Sequence, residues 1–220
     1  MEKRKVIFGT YDTALTGAWT VAGLELTSPD FQTNLVQIPG RDGPLDLSTV
    51  LTDGEPIYGS RKLTVVLENS DGDRAAREVK IRTIIAQLDG YQKQIWLPDD
   101  AGHYLQGRIH VVRNYNDMAH ASVTVTATCD PWLYSNTEKT YNLTASSTSN
   151  TITLVNSGRK AVVPVIVTTG SVNLVYGTNS LALSAGSYQM ADFVLTAGSH
   201  SLKYSGSGTI KITYREAVLL

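Results

Sequence analysis

The sequence predicts a mainly β protein built as two β-rich domains. Three observations carry that expectation. Short alternating apolar runs, bounded by Gly, Asn or Ser, recur at roughly 8–12-residue spacing through the second half, the rhythm of a small β-sandwich or jelly roll. The first half holds one helix pattern between antiparallel strand patterns. Without repeated strand–helix–strand units, this implies an α+β or sandwich domain and not a parallel nucleotide-binding sheet. Charge also divides: 17 acids face 13 bases up to Ser135, a net of −4, and 3 acids face 6 bases beyond it, a net of +3. The break coincides with CDPWLYSNTEKTYN, where an apolar strand meets a Pro-Trp corner and a polar linker follows. It places the boundary near residues 134–140, giving domains 1–135 and 136–220.

Taken in order, the opening MEKRKVIFGTYDTALTG has a basic cluster but no apolar run long enough for a signal peptide, since Asp12 interrupts it. Next comes IPGRDGPLDLS, two prolines and two glycines around Arg41 and Asp42. Val36 and Ile38 on one side of this turn, and Leu45, Leu47 and Val50 on the other, alternate with polar residues. They predict a projecting hairpin over about Val36 to Tyr58, an arm of ten residues or ~30 Å, with an apolar face larger than a free hairpin exposes. Its charges either meet a neighbouring subunit or close an internal Arg41–Asp42 or Arg41–Asp46 pair. SRKLTVVLEN reads as a strand with Leu63, Val65 and Leu67 on one face. A helix is predicted over about 73–89, where Ile81, Ile84, Ile85 and Leu88 form an apolar stripe, Asp71 or Asp73 caps the start and Gly90 ends it. Its arginines read as a solvated face. KQIWLPDDAGHYLQGRIHVV is a strand, a turn and a returning strand, and SVTVTATC another half-buried strand. Strands are then predicted in NTITLVNSG, AVVPVIVTTG, VNLVYG, NSLALSAG, DFVLTAG, HSLKYSG and TIKITYRE. Pro164 argues for an edge strand or a bulge, and LKYSGSGTIKITY for a terminal hairpin.

Most chemistry is excluded by what these patterns lack. A net charge of −1 carries no basic stripe for nucleic acid, and no segment approaches the ~20 apolar residues that span a bilayer. No dinucleotide, phosphate-loop, nucleophile-elbow or zinc-protease motif occurs, and the prolines of GRDGPLD remove amide donors that a phosphate cradle needs. Past Ser135 there are three scattered acids and His200, no basis for a hydrolase. His103, His110 and His120 lie near Asp99, Asp100, Asp117 and Cys129 without metal-site spacing. Cys129, the single cysteine, reads as a core residue and fits assembly in a reducing cytoplasm. No catalytic residue, metal or cofactor is expected. An alternative reading, a soluble carbohydrate-binding β-sandwich, would use Tyr176 and Tyr188, beside turns, as stacking platforms.

VQIPGRDGPLDLSTVLTDGEPIYGSRKLTVVLEN resembles the early part of distal tail proteins of long, flexible-tailed bacteriophages, in which a Pro-Gly-Arg-Asp-Gly-type turn precedes a Tyr-x-x-Arg strand. The matching residues are Pro39, Gly40, Arg41, Asp42, Gly43, Tyr58 and Arg61. The helix and the strand ending CDPW resemble the close of that family's first domain. Asn156, Gly158 and Pro164 fit the opening of its second, and Tyr214, Arg215 and Glu216 its ending. The resemblance implies a ring, usually of six copies, made by the N-terminal domains, with a galectin-like sandwich projecting outward. It further implies a non-enzymatic virion protein at the tail tip, made in the bacterial cytoplasm, whose partners are itself, a tail-tube protein and tail-tip proteins. Gly40, Arg41, Asp42, Gly43 and Arg61 are the subunit-interface candidates.

Overall fold

The computed structural model describes residues 4–52, 54–115 and 120–219. They gather into two compact units that divide between Pro131 and Trp132.

In the first unit, β1 (Ile7–Phe8) and β2 (Tyr11–Asp12) lead into α1 (Thr13–Gly17), a helix the sequence reading did not foresee. Asp12 forms it: the carboxylate accepts from the amides of Ala14 at 2.9 Å and Leu15 at 3.2 Å, so the acid that interrupts the apolar run is an N-cap. The turn closes over the fully buried Trp19, whose Nε1 donates to Tyr11 OH at 2.9 Å. Glycine is required at position 17, because a Cβ there would lie 2.2 Å from the Trp19 ring nitrogen. Asn69 Nδ2 ties the segment down, donating to the carbonyls of Gly17 and Ala18.

β3 (Thr20–Leu26), also missed from sequence, pairs with β6 (Arg61–Asn69). Between them lie β4 (Leu35–Val36) and β5 (Leu45–Asp46). α2 (Arg74–Leu88) matches the predicted helix. Asp73 caps it through Ala76 N at 2.8 Å, Gly90 follows with φ +80°, and Ile81, Ile84 and Leu88 are buried. β7 (Gln92–Leu97), β8 (Asp100–Asn114) and β9 (Ala121–Ser135) complete the unit's sheet, in the order β2-β1-β7-β8-β9-β6-β3. The expected alternation is obeyed: Leu63, Val65 and Leu67 on β6 and Val123, Val125 and Ala127 on β9 are all buried. α2 packs on β8, and Glu78 makes a two-pronged pair with Arg113.

The second unit takes the end of β9, where Leu133 and Tyr134 pair with β18 (Ala217–Val218). Its body is two four-stranded antiparallel sheets. One runs β10 (Lys139–Ala145), β17 (Gly208–Tyr214), β12 (Val165–Thr168), β15 (Gly186–Tyr188), and the other β11 (Asn150–Asn156), β16 (Gly198–Gly206), β13 (Val172–Tyr176), β14 (Asn179–Leu183). Leu154, Ile166, Leu174, Leu202, Ile210 and Ile212 fill the space between them.

Four expectations need correction here. The polar stretch read as a linker is largely strand: β10 starts at Lys139 and pairs along its whole length with β17. LKYSGSGTIKITY is no hairpin, because β16 and β17 belong to opposite sheets. The intervening Gly206 (φ +125°) and Gly208 (φ +96°) turn a corner so tight that a Cβ on either would strike backbone at residues 170–172. DFVLTAG is not a strand. Phe193 and Leu195 enter the core from an irregular segment held by the Val162–Leu195 bridge. Pro164 sits immediately before β12, which has neighbours on both sides, so it opens a central strand and marks neither an edge nor a bulge.

Candidate functional site

The arm inserted between β3 and β6 is the most unusual surface of the first unit. Its stalk continues their ladder. Thr27 N donates to Lys62 O at 2.9 Å, Gln32 N to Ile57 O at 2.9 Å and Gly59 N to Asp30 O at 2.8 Å, and the Phe31 and Tyr58 rings pack 5.2 Å apart. Beyond it, β4 and β5 pair only at Leu35–Asp46 and Val36–Leu45. The long alternating ladder expected from sequence is cut short because Pro39 and Pro44 have no amide to give, and Gly40 and Gly43 turn the chain at φ +81° and +76°. Leu47 N to Asn34 O and Asn34 N to Ser48 Oγ, both 2.8 Å, lock the base of the loop.

The arm exposes apolar side chains that ordinarily seek a partner: Leu51 at 96%, Phe31 at 65%, Val50 at 64% and Leu35 at 55%, with Val36, Ile38 and Ile57 also exposed. At its tip Arg41 and Asp42 are exposed, and neither internal pair weighed from sequence forms. Asp46 instead accepts from Ser48 N at 2.9 Å, and the hydrogen bonds from Ser48 hold its carboxyl below the usual carboxylate value. No Cβ at Gly40 or Gly43 would meet any atom, so these glycines serve the turn and not a close approach.

Arg61 does not join them. Its residue is 2% exposed, and its guanidinium donates to the carbonyls of Thr27 at 3.1 Å and Pro131 at 3.4 Å. Burial lowers its pKa, and it braces the root of the arm from inside the unit. The structure thus brings four of the five interface candidates together at the tip and places the fifth at the base.

A second feature, unread in the sequence, lies towards the other end of the same sheet. A groove of about 580 Å³ is lined by Ile7, Trp96, Leu97, Pro98 and Ala101, with Arg4, Lys5 and Asp99 beside them. Arg4 and Asp99 form an exposed ion pair at 2.6 Å, their side chains 62% and 71% exposed. The Pro-Asp-Asp turn was legible as a turn. Nothing local signals that β1 would lie beside it and close a groove.

The tyrosines weighed as sugar platforms are both packed. Tyr176 OH donates to Val194 O at 2.6 Å and hydrogen-bonds His200 Nδ1 at 2.9 Å, and its ring lies 4.5 Å from that of Phe193. Tyr188 OH donates to Ser184 O at 3.0 Å, and its ring packs on the core. Of the histidines near acids, His103 pairs with Asp100 and His110 with Asp89, two separate contacts. Asp117 lies outside the described residues, and among those described no three His, Cys, Asp or Glu side chains converge as metal ligands. Cys129 is buried, which pushes its thiol up to about 12.

No family model matches the chain, and no curated protein matches its sequence. A solved structure does match its fold. The crystal structure of the Dit protein (gp 19.1) of SPP1, described as a paradigm of the hub adsorption apparatus in phages infecting Gram-positive bacteria, superposes with a TM-score of 0.70. The match covers 97% of this chain and 99% of that one, at 16% identity. The chain has the Dit fold. The resemblance drawn from turns and strand ends is therefore borne out at the level of fold, as is the mainly β class. At this identity the likeness with Dit is one of fold alone.

Proposed function

We propose that this chain is a structural hub of a phage tail tip. In this reading, copies join through their first units into a ring, six in number, between the tail-tube protein and the tip or adhesion proteins, and the second, galectin-like units project outward. The observation that carries it is a fold shared with the SPP1 hub protein over both units and nearly the full length of both chains. The arm supports it independently, because a monomer gains nothing from holding Leu51, Phe31 and Val50 in water, whereas a ring covers them. An assembly hub requires stiff, shape-defined contacts and no reactive group. The hydroxyls of Tyr176 and Tyr188 are taken up by carbonyls of their own unit, which weighs against the carbohydrate reading. The test is native mass by light scattering over a concentration series. The expected species is six times the 23.9 kDa chain, about 143 kDa. A monomer at every concentration up to the solubility limit overturns the proposal.

A further inference from the structure

We propose that the arm of one copy docks in the Trp96 groove of the next, with Arg41 meeting Asp99 and Asp42 meeting Arg4 across the boundary. The inference rests on the ring reading and specifies the contact that would build it.

Position is the first argument. In the sheet order β2-β1-β7-β8-β9-β6-β3, the arm grows from β3 and β6, while the groove is framed by β1, β7 and the start of β8. Four strand spacings separate β7 from β3, about 19 Å at ~4.8 Å each. An apolar projection and an apolar recess on opposite ends of one sheet make a head-to-tail contact, and such contacts repeat from copy to copy until a rotation closes them. A two-fold dimer would need one self-complementary patch instead.

Chemistry is the second. The groove offers Ile7, Trp96, Leu97 and Pro98, and the arm offers Leu35, Val36, Ile38 and Leu51. Beside the groove is one exposed cation–anion pair, Arg4–Asp99. The arm tip has one adjacent cation and anion, Arg41 and Asp42, without an ionic partner among the described residues of their own copy. Exchange of partners satisfies all four charges across the boundary and fixes the register of the arm. Charge complementarity at an interface acts in this way, selecting partner and register more than adding affinity.

Reach is the third. Residues 27–36 of the stalk span at most about 30 Å at ~3.3 Å per residue, which sets the upper bound on how far the tip can project. A two-stranded hairpin is marginal alone in water, so an arm of this length is held best by a surface outside its own copy.

The experiment is a charge exchange on the full chain. Arg41→Asp and Asp99→Arg are made singly and together, assembly is followed by light scattering, and circular dichroism verifies the fold. Each single reversal is expected to shift the assembly midpoint to about tenfold higher concentration, and the double variant is expected to return within about threefold of the parent. In parallel, Ile38→Cys and Ala101→Cys chains are mixed and treated with a short bismaleimide. Buried Cys129 stays unreactive, so a dimer band is expected in the mixture and not in either variant alone. A parent that assembles while the reversals leave it unchanged, or while the mixture fails to cross-link, overturns the docking and leaves the ring reading standing. A parent that never assembles overturns both. Lost assembly with no recovery in the double variant overturns the Arg41–Asp99 contact.

Discussion

Replacing Gly158 with alanine tests how the second unit is closed. Gly158 is buried in the turn after β11, and its amide donates to Asn156 Oδ1 at 3.0 Å. Asn156 Nδ2 in turn donates to the carbonyls of Lys160 and Leu195, both at 2.9 Å. The φ of Gly158 is not in the left-handed region, so backbone strain does not enter. Contact alone decides the outcome. A Cβ would lie 2.5 Å from Ala217 O and 2.8 Å from Ala217 N, against an ordinary carbon–oxygen approach of ~3.3 Å. Both struck atoms are backbone, so no side-chain rotation relieves the overlap, and β18 must shift. Overpacking of this kind costs about 1–3 kcal/mol. Ala217 O also accepts from the amides of Arg159 at 2.9 Å and Lys160 at 3.2 Å, and losing these two backbone bonds adds ~1 kcal/mol each. The sum, about 3–5 kcal/mol, corresponds to a fall of at least ~12 °C in the melting temperature of a unit this size. Calorimetry of the full chain measures it, and hydrogen exchange at Arg159 and Lys160 localises it. Gly177→Ala is the control: with φ +59° and open space around it, it should cost only ~1–2 kcal/mol. A Gly158→Ala loss below ~1 kcal/mol, or amides at 159 and 160 that stay protected, would refute the reasoning.

Two further outcomes are expected. Asp12→Ala should destabilise the first unit by ~1 kcal/mol or more through loss of the α1 cap and the 3.0 Å pair with Lys5. Burial pushes this carboxyl up, but Lys5 and the two amides together hold it below its ordinary 3.8. Its contribution is therefore present above pH ~4 and lost as pH falls through the lower folded value, so the gap between parent and variant in urea melts should shrink in strong acid. Residues 132–220 expressed alone should melt cooperatively, whereas a fragment starting at 138 should be weaker, because it lacks the Leu133 and Tyr134 partners of β18. Equal stability of the two fragments would show that this pairing contributes nothing.

How far the chain could be read follows from which forces are local. The span of α2 was legible because every signal for it lies within twenty residues: the Asp73 cap, the Ile81–Ile84–Leu88 stripe and the glycine at 90. The strands β6, β11, β16 and β17 were legible because a period of two reveals a half-buried strand whatever its neighbours. The same period is silent about partners. It could not show that β16 and β17 go to opposite sheets, since that choice is made by a corner where Gly206 and Gly208 pass within contact distance of residues 170–172, some 35 positions earlier. Nor could it tell the alternation of Phe193 and Leu195 in an irregular plug from that of a strand. At the candidate interface, the stiff turn and its exposed Arg41 and Asp42 were written in the prolines and glycines. Two things were left to tertiary structure: that Arg61 would be drawn inside by carbonyls at 27 and 131, and that β1 and β7 would enclose a groove around Trp96. A residue's conformational preferences travel with it along the chain, whereas its burial and its partners depend on atoms brought to it from a distance, and those are fixed only when the whole sheet has formed.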